Sequence, residues 1–452
     1  MSVFKAFPLL RQNSPRLSKH FFTCTAHRPA PPKLPTNFFA SRFRAQHTTA
    51  APQNVARPRS FPQTSDKVVG YWLLGSAASV FGIVVFGGLT RLTESGLSIT
   101  EWRPVTGSLP PLNSTDWETA FNKYRSSPEF ALLNPSMSLE EFKKIYWMEW
   151  THRLWGRVIG LSFLLPTIYF VARRRVAPHM AVKLVGISGL IGFQGVIGWW
   201  MVASGLKDDL FAPGSHPRVS QYRLAAHLGA AFVVYLSMLW TGLDILRENR
   251  MLASPTEALK KIQALRSPHL RAFKLATALI TGLVFTTAMS GALVAGLDAG
   301  LIYNEFPWMG QGLTPPKAEL FDPRYSRHSD GSDLLWRNAC ENPSLVQLDH
   351  RILATSSFTA ILGLFAYPRL AGRVKVALPR EVVKGLTGVM HLAWMQVALG
   401  ISTLIYMVPT AVAAGHQAGA LALLTGVLVL ARRLRVPRRT VRLVERAVKE
   451  GK

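Results

Sequence analysis

Eight runs of about twenty apolar residues constrain this chain more than any other feature, at residues 69–89, 150–172, 182–203, 224–243, 275–295, 348–367, 385–407 and 412–431. A hydrocarbon core about 30 Å thick is crossed by about 20 residues of helix. Backbone groups in that core must be satisfied within the segment, which makes each run a helix. Composition agrees: 48% of the 452 residues are hydrophobic and 17% are charged, against about 25% charged in soluble domains. The expected fold is an all-α polytopic membrane protein with eight transmembrane helices. The run at 348–367 is the shortest, and Asp349, His350 and Arg351 open it. Those residues must face protein, a cofactor or the interface.

A formal charge of +27 suggests nucleic acid until its placement is examined. The first 65 residues carry ten Lys or Arg and no acid, with Ser, Thr, Pro and Phe between them. That pattern is the makeup of a mitochondrial transit peptide, the alternative being a disordered basic tail that stays attached, so 1–65 reads as a leader. Beyond it, stretches 173–180, 244–274, 369–384 and 432–452 hold 24 basic residues against 6 acids. Stretches 91–148, 204–223, 297–348 and 408–414 hold 13 against 16. The positive-inside rule then puts both termini on the inner side, which is the matrix side of the mitochondrial inner membrane if the leader is a transit peptide. No basic patch on a folded soluble domain is left for nucleic acid. The two cysteines, Cys24 in the leader and Cys340 in a loop, exclude a disulfide framework and a cysteine-based zinc or iron–sulfur site.

The chain repeats itself. Glu149-Trp-Thr-His152-Arg153 opens the second run and Gln347-Leu-Asp-His350-Arg351 the sixth. Ala226-His227-Leu-Gly lies in the fourth and Gly415-His416-Gln-Ala-Gly in the eighth. A four-span repeat returns the chain to its starting side, so the halves are parallel and related about the membrane normal. Two pseudo-twofold-related four-helix bundles follow, at 66–250 and 271–435, with a matrix linker at 251–270 and a basic matrix tail at 436–452. Bundles build cofactor sites from facing side chains.

Of twelve histidines, three fall in the leader. His179, His216, His269 and His328 fall in loops and His391 near a helix end. His152, His227, His350 and His416 are different: each sits near the outer start of an even-numbered run, at repeat-equivalent places. Two imidazoles facing across a bundle suit haem iron or another transition metal. Zinc asks for further protein ligands or an open position for water, and neither half offers an obvious third histidine. A porphyrin fits the apolar bundle better, with axial histidines on its iron. Arg153, Arg351 and Arg223 are candidates for its propionates, or are arginines at the headgroup boundary. The halves differ one turn before the histidine, where Glu149 is matched by Gln347. A carboxylate there can move protons or stabilise positive charge; alternatively it pairs with Arg153. A dihaem b-type electron-transfer subunit without haem-modifying activity and a repeat-built transporter are the competing readings.

The stretches Gly87-Gly-Leu-Thr-Arg-Leu-Thr-Glu-Ser-Gly-Leu-Ser, Glu149-Trp-Thr-His-Arg-Leu-Trp-Gly-Arg, Pro217-Arg-Val-Ser-Gln-Tyr-Arg-Leu-Ala-Ala-His-Leu-Gly, Leu348-Asp-His-Arg and Gly415-His-Gln resemble the mitochondrial haem A synthase family. The resemblance covers roughly residues 66 to 432. It implies oxidation of the C8 methyl of haem O to a formyl group through hydroxylated intermediates, giving haem A for cytochrome c oxidase assembly. It implies a haem b cofactor on the pair matching His350 and His416. Substrate haem falls to the pair matching His152 and His227, with Glu149 as the family's glutamate. The implied partners are haem O delivered by haem O synthase, a matrix ferredoxin-type electron donor and membrane lipid; a homo-oligomer is left open. Many bacterial members carry a cysteine pair in the first outer loop, whereas residues 91–148 contain no cysteine.

Overall fold

The computed structural model describes residues 60–212 and 216–451. Almost all of the leader expected at 1–65 lies outside them. The frame is eight long helices: α1 (Lys67–Leu92), α2 (Leu139–Ala172), α3 (Pro178–Val202), α4 (Gln221–Ala253), α5 (Arg271–Gly296), α6 (Pro343–Leu370), α7 (Arg380–Ile405) and α8 (Thr410–Arg433). No strand occurs among the described residues. Seven of the eight are long and apolar enough to cross a membrane. The other, α6, has 28 residues and so spans about 42 Å at about 1.5 Å per residue. Asp349, His350 and Arg351 interrupt its apolar surface.

The apolar surface is turned outward as well as inward. Leu161, Leu165, Val182 and Leu279 are 59, 60, 73 and 66% exposed. Contiguous exposed aliphatic surface of this kind belongs against lipid. Inside, α1 packs on α2 and α4, and α3 packs on the same two. The second half repeats this, with α5 and α7 each packed on α6 and α8. The halves meet where α1 touches α8 and α4 touches α5, the exchange a twofold axis requires. At the α1–α8 seam Gln417 donates to the Val84 carbonyl at 2.9 Å. Gly88 makes room for it, since a Cβ there would lie 1.7 Å from the Gln417 Oε1. Both α1 and α5 end in a left-handed non-glycine turn, at Glu94 (φ 51°) and Asp298 (φ 52°).

Regions expected to be plain loops carry helices. A capping box between Ser138 and Glu141 starts α2 well before residue 150. Its 34 residues reach about 51 Å, so its first turns stand clear of the hydrocarbon. Helices Ser114–Arg125 and Pro128–Leu133 fold onto those turns around Phe121, Tyr124, Phe142 and Tyr146, forming an outer cap. At the other end, helix Pro255–Leu265 lies inside the expected linker and helix Arg438–Lys449 inside the expected tail. They pack together through Ile262 and Val444.

Candidate functional site

Each of the four histidines named above rests against a glycine of the preceding odd-numbered helix. A Cβ added at Gly87 would meet the His152 Cε1 at 2.8 Å, at Gly198 the His227 Cε1 at 2.9 Å, at Gly291 the His350 Cε1 at 3.2 Å, and at Gly400 the His416 Cε1 at 3.1 Å. Real Cβ contacts are longer, so glycine at these four places clears the space each ring fills. The four glycines stand at repeat-equivalent positions, as the histidines do. His179, His216, His269, His328 and His391 are exposed. The four glycine-backed rings are half-buried inside the bundle.

The C-terminal pair face one another, with His350 and His416 ring centres 6.5 Å apart and planes at 88°. Two imidazoles sharing one metal ion through bonds of about 2 Å hold their ring centres about 6 Å apart. His152 and His227 stand at the equivalent places of the first half, against Gly87 and Gly198. Nowhere among the described residues do three or more His, Cys, Asp or Glu converge as metal ligands. The donor set is therefore two imidazoles per half, which suits an ion whose other ligands come from a macrocycle. The Nδ1 atoms of His152 and His416 are buried without a partner. That of His227 meets the Gln194 Nε2 at 3.1 Å, and that of His350 meets the Ser290 Oγ at 2.8 Å. The rings, their cradles and their spacing fit a bis-imidazole haem.

Glu149 is buried and fully engaged. It accepts from the Ser98 Oγ at 2.6 Å, the Ile99 N–H at 2.7 Å, and the Arg153 Nε and Nη2 at 3.0 and 2.6 Å. Arg153 also donates to the Ile99 and Glu101 carbonyls at 2.7 and 2.9 Å. The pair clamps the turn after α1 onto α2. In the second half Arg351 donates to the Tyr303, Glu305 and Trp308 carbonyls at 3.0, 2.9 and 3.1 Å. Gln347 adds a bond to the Tyr303 carbonyl at 3.0 Å. Arg223 donates to the Trp200 carbonyl at 2.7 Å and stacks 4.4 Å over the Trp200 ring. So Arg153 and Arg351 have donors committed to loop carbonyls, and Arg223 to the end of α3. An open cleft of about 550 Å³ beside Tyr222 and Trp336 lies apart from the histidines, and its Arg337 is already paired with Asp333 and Glu341.

The sequence reading missed the glycines, Ser290, and the glutamines Gln194 and Gln396. A signal existed: aligned on the repeat, Gln194-x-x-x-Gly198 matches Gln396-x-x-x-Gly400, and Gly87 matches Gly291.

Two bundles with glycine-backed imidazole pairs define a polytopic helical membrane protein whose histidine pairs suit a metal-centred group. Residues 70–428 match the family model COX15-CtaA, described as cytochrome oxidase assembly protein. The chain belongs to that family. It is 50% identical to Heme A synthase COX15 of Saccharomyces cerevisiae, over 84% of this chain and 77% of the yeast protein. It is 45% identical to Heme A synthase COX15 of Homo sapiens, over 82% of this chain and 84% of the human one. A Schizosaccharomyces pombe protein, Heme A synthase-mitochondrial ferredoxin fusion protein, is 49% identical over 88% of this chain and 64% of its own length.

Proposed function

We propose that this chain is a mitochondrial haem A synthase, an oxidoreductase that takes haem O to haem A by oxidising a ring methyl to a formyl group for cytochrome c oxidase assembly. The observation that carries this is the family match across both halves, with relatives of that name at high identity. The dihaem electron-transfer reading is not favoured by those relatives.

Within this reading His350 and His416 hold a resident haem b. The support is the 6.5 Å between their ring centres and their glycine cradles. Haem b supplies one-electron redox chemistry that side chains lack. His152 and His227 position the substrate haem, with Gly87 and Gly198 leaving them room. Glu149 lies three residues from His152 on the same helix, one turn away and on the same face. There it holds negative charge or accepts a proton at the reacting methyl, while also clamping the loop at Ser98 and Ile99. Arg153, Arg223 and Arg351 border the two sites. Their donors that are not committed to carbonyls are available to propionates.

Electrons come from a ferredoxin-type donor, a reading supported by the fused ferredoxin named in the fission yeast relative. Haem O arrives from haem O synthase. All eight long helices span, α6 included, with both termini in the matrix of the inner membrane. The loop charge asymmetry supports that orientation.

Pigment extraction from cells lacking their own haem A synthase tests the function. Expression of this chain should restore haem A. Bound haem b without any haem A would sink the synthase reading in favour of electron transfer. A C-terminal tag digested from the outer face of intact mitoplasts would contradict the orientation.

A further inference from the structure

We infer that Ser290 is a positioning residue that locks His350 in the tautomer with its proton on Nδ1, leaving Nε2 free to ligate, and that the N-terminal half has no such lock, so its haem exchanges while the C-terminal haem stays. This rests on the reading above that His350 and His416 hold haem b.

A serine hydroxyl has one proton to give. Ser290 Oγ lies 2.8 Å from the Thr287 carbonyl, which can only accept, and 2.8 Å from the His350 Nδ1. With its proton on that carbonyl, the hydroxyl can only accept from His350. The Nδ1 therefore carries the hydrogen and Nε2 presents its lone pair. The surrounding residues continue the pattern. Thr287 Oγ1 lies 2.8 Å from the Ser357 Oγ and donates to the Leu283 carbonyl at 2.9 Å. Aligned on the repeat, the N-terminal half has Ile83, Phe86 and Ile159 where the C-terminal half has Thr287, Ser290 and Ser357. Three hydroxyls are replaced by hydrocarbon. Phe86 stacks on His152 with centroids 6.4 Å apart and planes at 8°, and the His152 Nδ1 is buried without a partner.

The other ring of the N-terminal half is held in the opposite sense. The Gln194 Nε2 donates to the His227 carbonyl at 2.9 Å and lies 3.1 Å from the His227 Nδ1. Its two hydrogens serve both contacts, which makes Nδ1 an acceptor and puts the ring proton on Nε2. Turning the amide over would set its oxygen against a carbonyl oxygen. Ligation by His227 therefore requires Gln194 to move, and release lets it return. In the second half Gln396 turns away from His416 onto Gly419, where a Cβ would lie 1.9 Å from its Nε2. The repeat-equivalent residue is Ala230, whose methyl denies Gln194 that position.

A hydrogen bond to the far nitrogen of a metal-bound histidine fixes its orientation and raises its basicity; losing it costs 10- to 100-fold in affinity. Purified full-length protein carrying Ser290→Ala should release haem b to an excess of apomyoglobin about 10- to 100-fold more readily than wild type. The midpoint potential of the haem that remains should rise, because a less basic axial ligand favours ferrous iron. Ser290→Thr keeps the hydroxyl and should restore both properties. If the alanine variant does not accumulate, Ser290→Cys gives the same comparison, since a thiol is a weak acceptor. Wild-type haem retention and potential in Ser290→Ala or Ser290→Cys would overturn the inference. A b-type spectrum that survives His350→Ala would instead overturn the haem assignment beneath it.

Discussion

The two halves fasten the same turn to the same helix with different chemistry. In both, an arginine one residue past the histidine reaches carbonyls of the turn that follows the preceding odd helix. In the first half a buried carboxylate completes the clamp, and in the second a neutral amide does. Gln347 manages with one bond to the Tyr303 carbonyl and a buried Oε1 that has no partner, while Arg351 keeps three carbonyls and no acid. The second half thus demonstrates, within the same molecule, that this clamp folds without a carboxylate. The negative charge of Glu149 is therefore more than the turn requires, although its hydrogen bonds do contribute to holding it.

The histidines give the largest effects and break the comparison outright if they fail to segregate. His350→Ala or His416→Ala should remove the low-spin b-type spectrum from the purified protein. His152→Ala should leave that spectrum in place and abolish haem A output. An unchanged b-type spectrum in either of the first two variants, or haem A from the third, would mean that the halves do not divide the work as proposed.

Glu149→Gln comes next, because it gives the first half the residue of the second. Removing one partner of a buried ion pair usually costs several kcal/mol, but Arg153 keeps its two carbonyls, as Arg351 does. The variant should fold with haem b bound while haem A output falls on the order of 10²–10³, the scale of losing one electrostatic stabiliser. Hydroxylated haem should accumulate if the second oxidation uses the same group. Wild-type haem A content in Glu149→Gln, by chromatography at matched protein level, would make this residue a clamp and nothing further.

The glycine cradles sharpen the comparison at smaller scale. Gly291→Ala and Gly400→Ala should weaken haem b retention, whereas Gly87→Ala and Gly198→Ala should lower haem A output with haem b retained. The displacement demanded is largest at Gly87, where the added carbon would come to 2.8 Å of its imidazole, and least at Gly291, at 3.2 Å. Equal loss of haem b from all four variants would indicate general bundle damage.

Much of this architecture was legible beforehand, for identifiable reasons. Twenty-residue apolar runs have few solutions in a bilayer, and a His-Arg pair repeated at matching depth survives any uncertainty about helix ends. The interaction of Glu149 with Arg153 was legible too, because residues four apart on a helix share a face. The outer cap was not. Its helices are short, and their apolar positions, such as Phe121 and Tyr124, are scattered among charges, so no hydropathy window marks them. The early start of α2 depends on the reciprocal bonds of Ser138 and Glu141, a local signal masked by the charged residues that follow. The side chains that meet the His227 and His350 Nδ1 atoms lie on odd-numbered helices, 33 and 60 residues away in the chain, and only packing brings Ser290 to His350.

The cap has no counterpart of the same construction in the second half, and this difference predicts the smallest effect. Glu129 is buried there, with its Oε1 accepting from the Tyr124 hydroxyl at 2.9 Å. Asn134 in turn donates to the Tyr124 oxygen at 3.0 Å. Burial raises the Glu129 pKa from 4.5 to about 7; the tyrosine hydrogen bond opposes the shift, and the Glu149 and Glu94 charges add to it against Arg91. The Tyr124 hydroxyl is itself pushed up by burial and then by the Glu129 charge. A carboxyl whose folded value is raised binds its proton more tightly in the folded cap than in the unfolded one. Its stabilising contribution is fully present below about 4.5, falls as pH rises, and is gone above about 7, a change of about 3 kcal/mol. The cap packs against Ile99 and Trp150, so loosening it reaches the turn that Glu149 clamps. Amide exchange over residues 114–146, corrected for intrinsic rates, should show weaker protection at pH 8 than at pH 6. Glu129→Gln keeps an acceptor for Tyr124 and removes the titration, so its protection should be the same at both values and exceed wild type by more at pH 8 than at pH 6. Wild-type protection that does not change between the two would show that Glu129 titrates no differently in the folded cap than in the open chain.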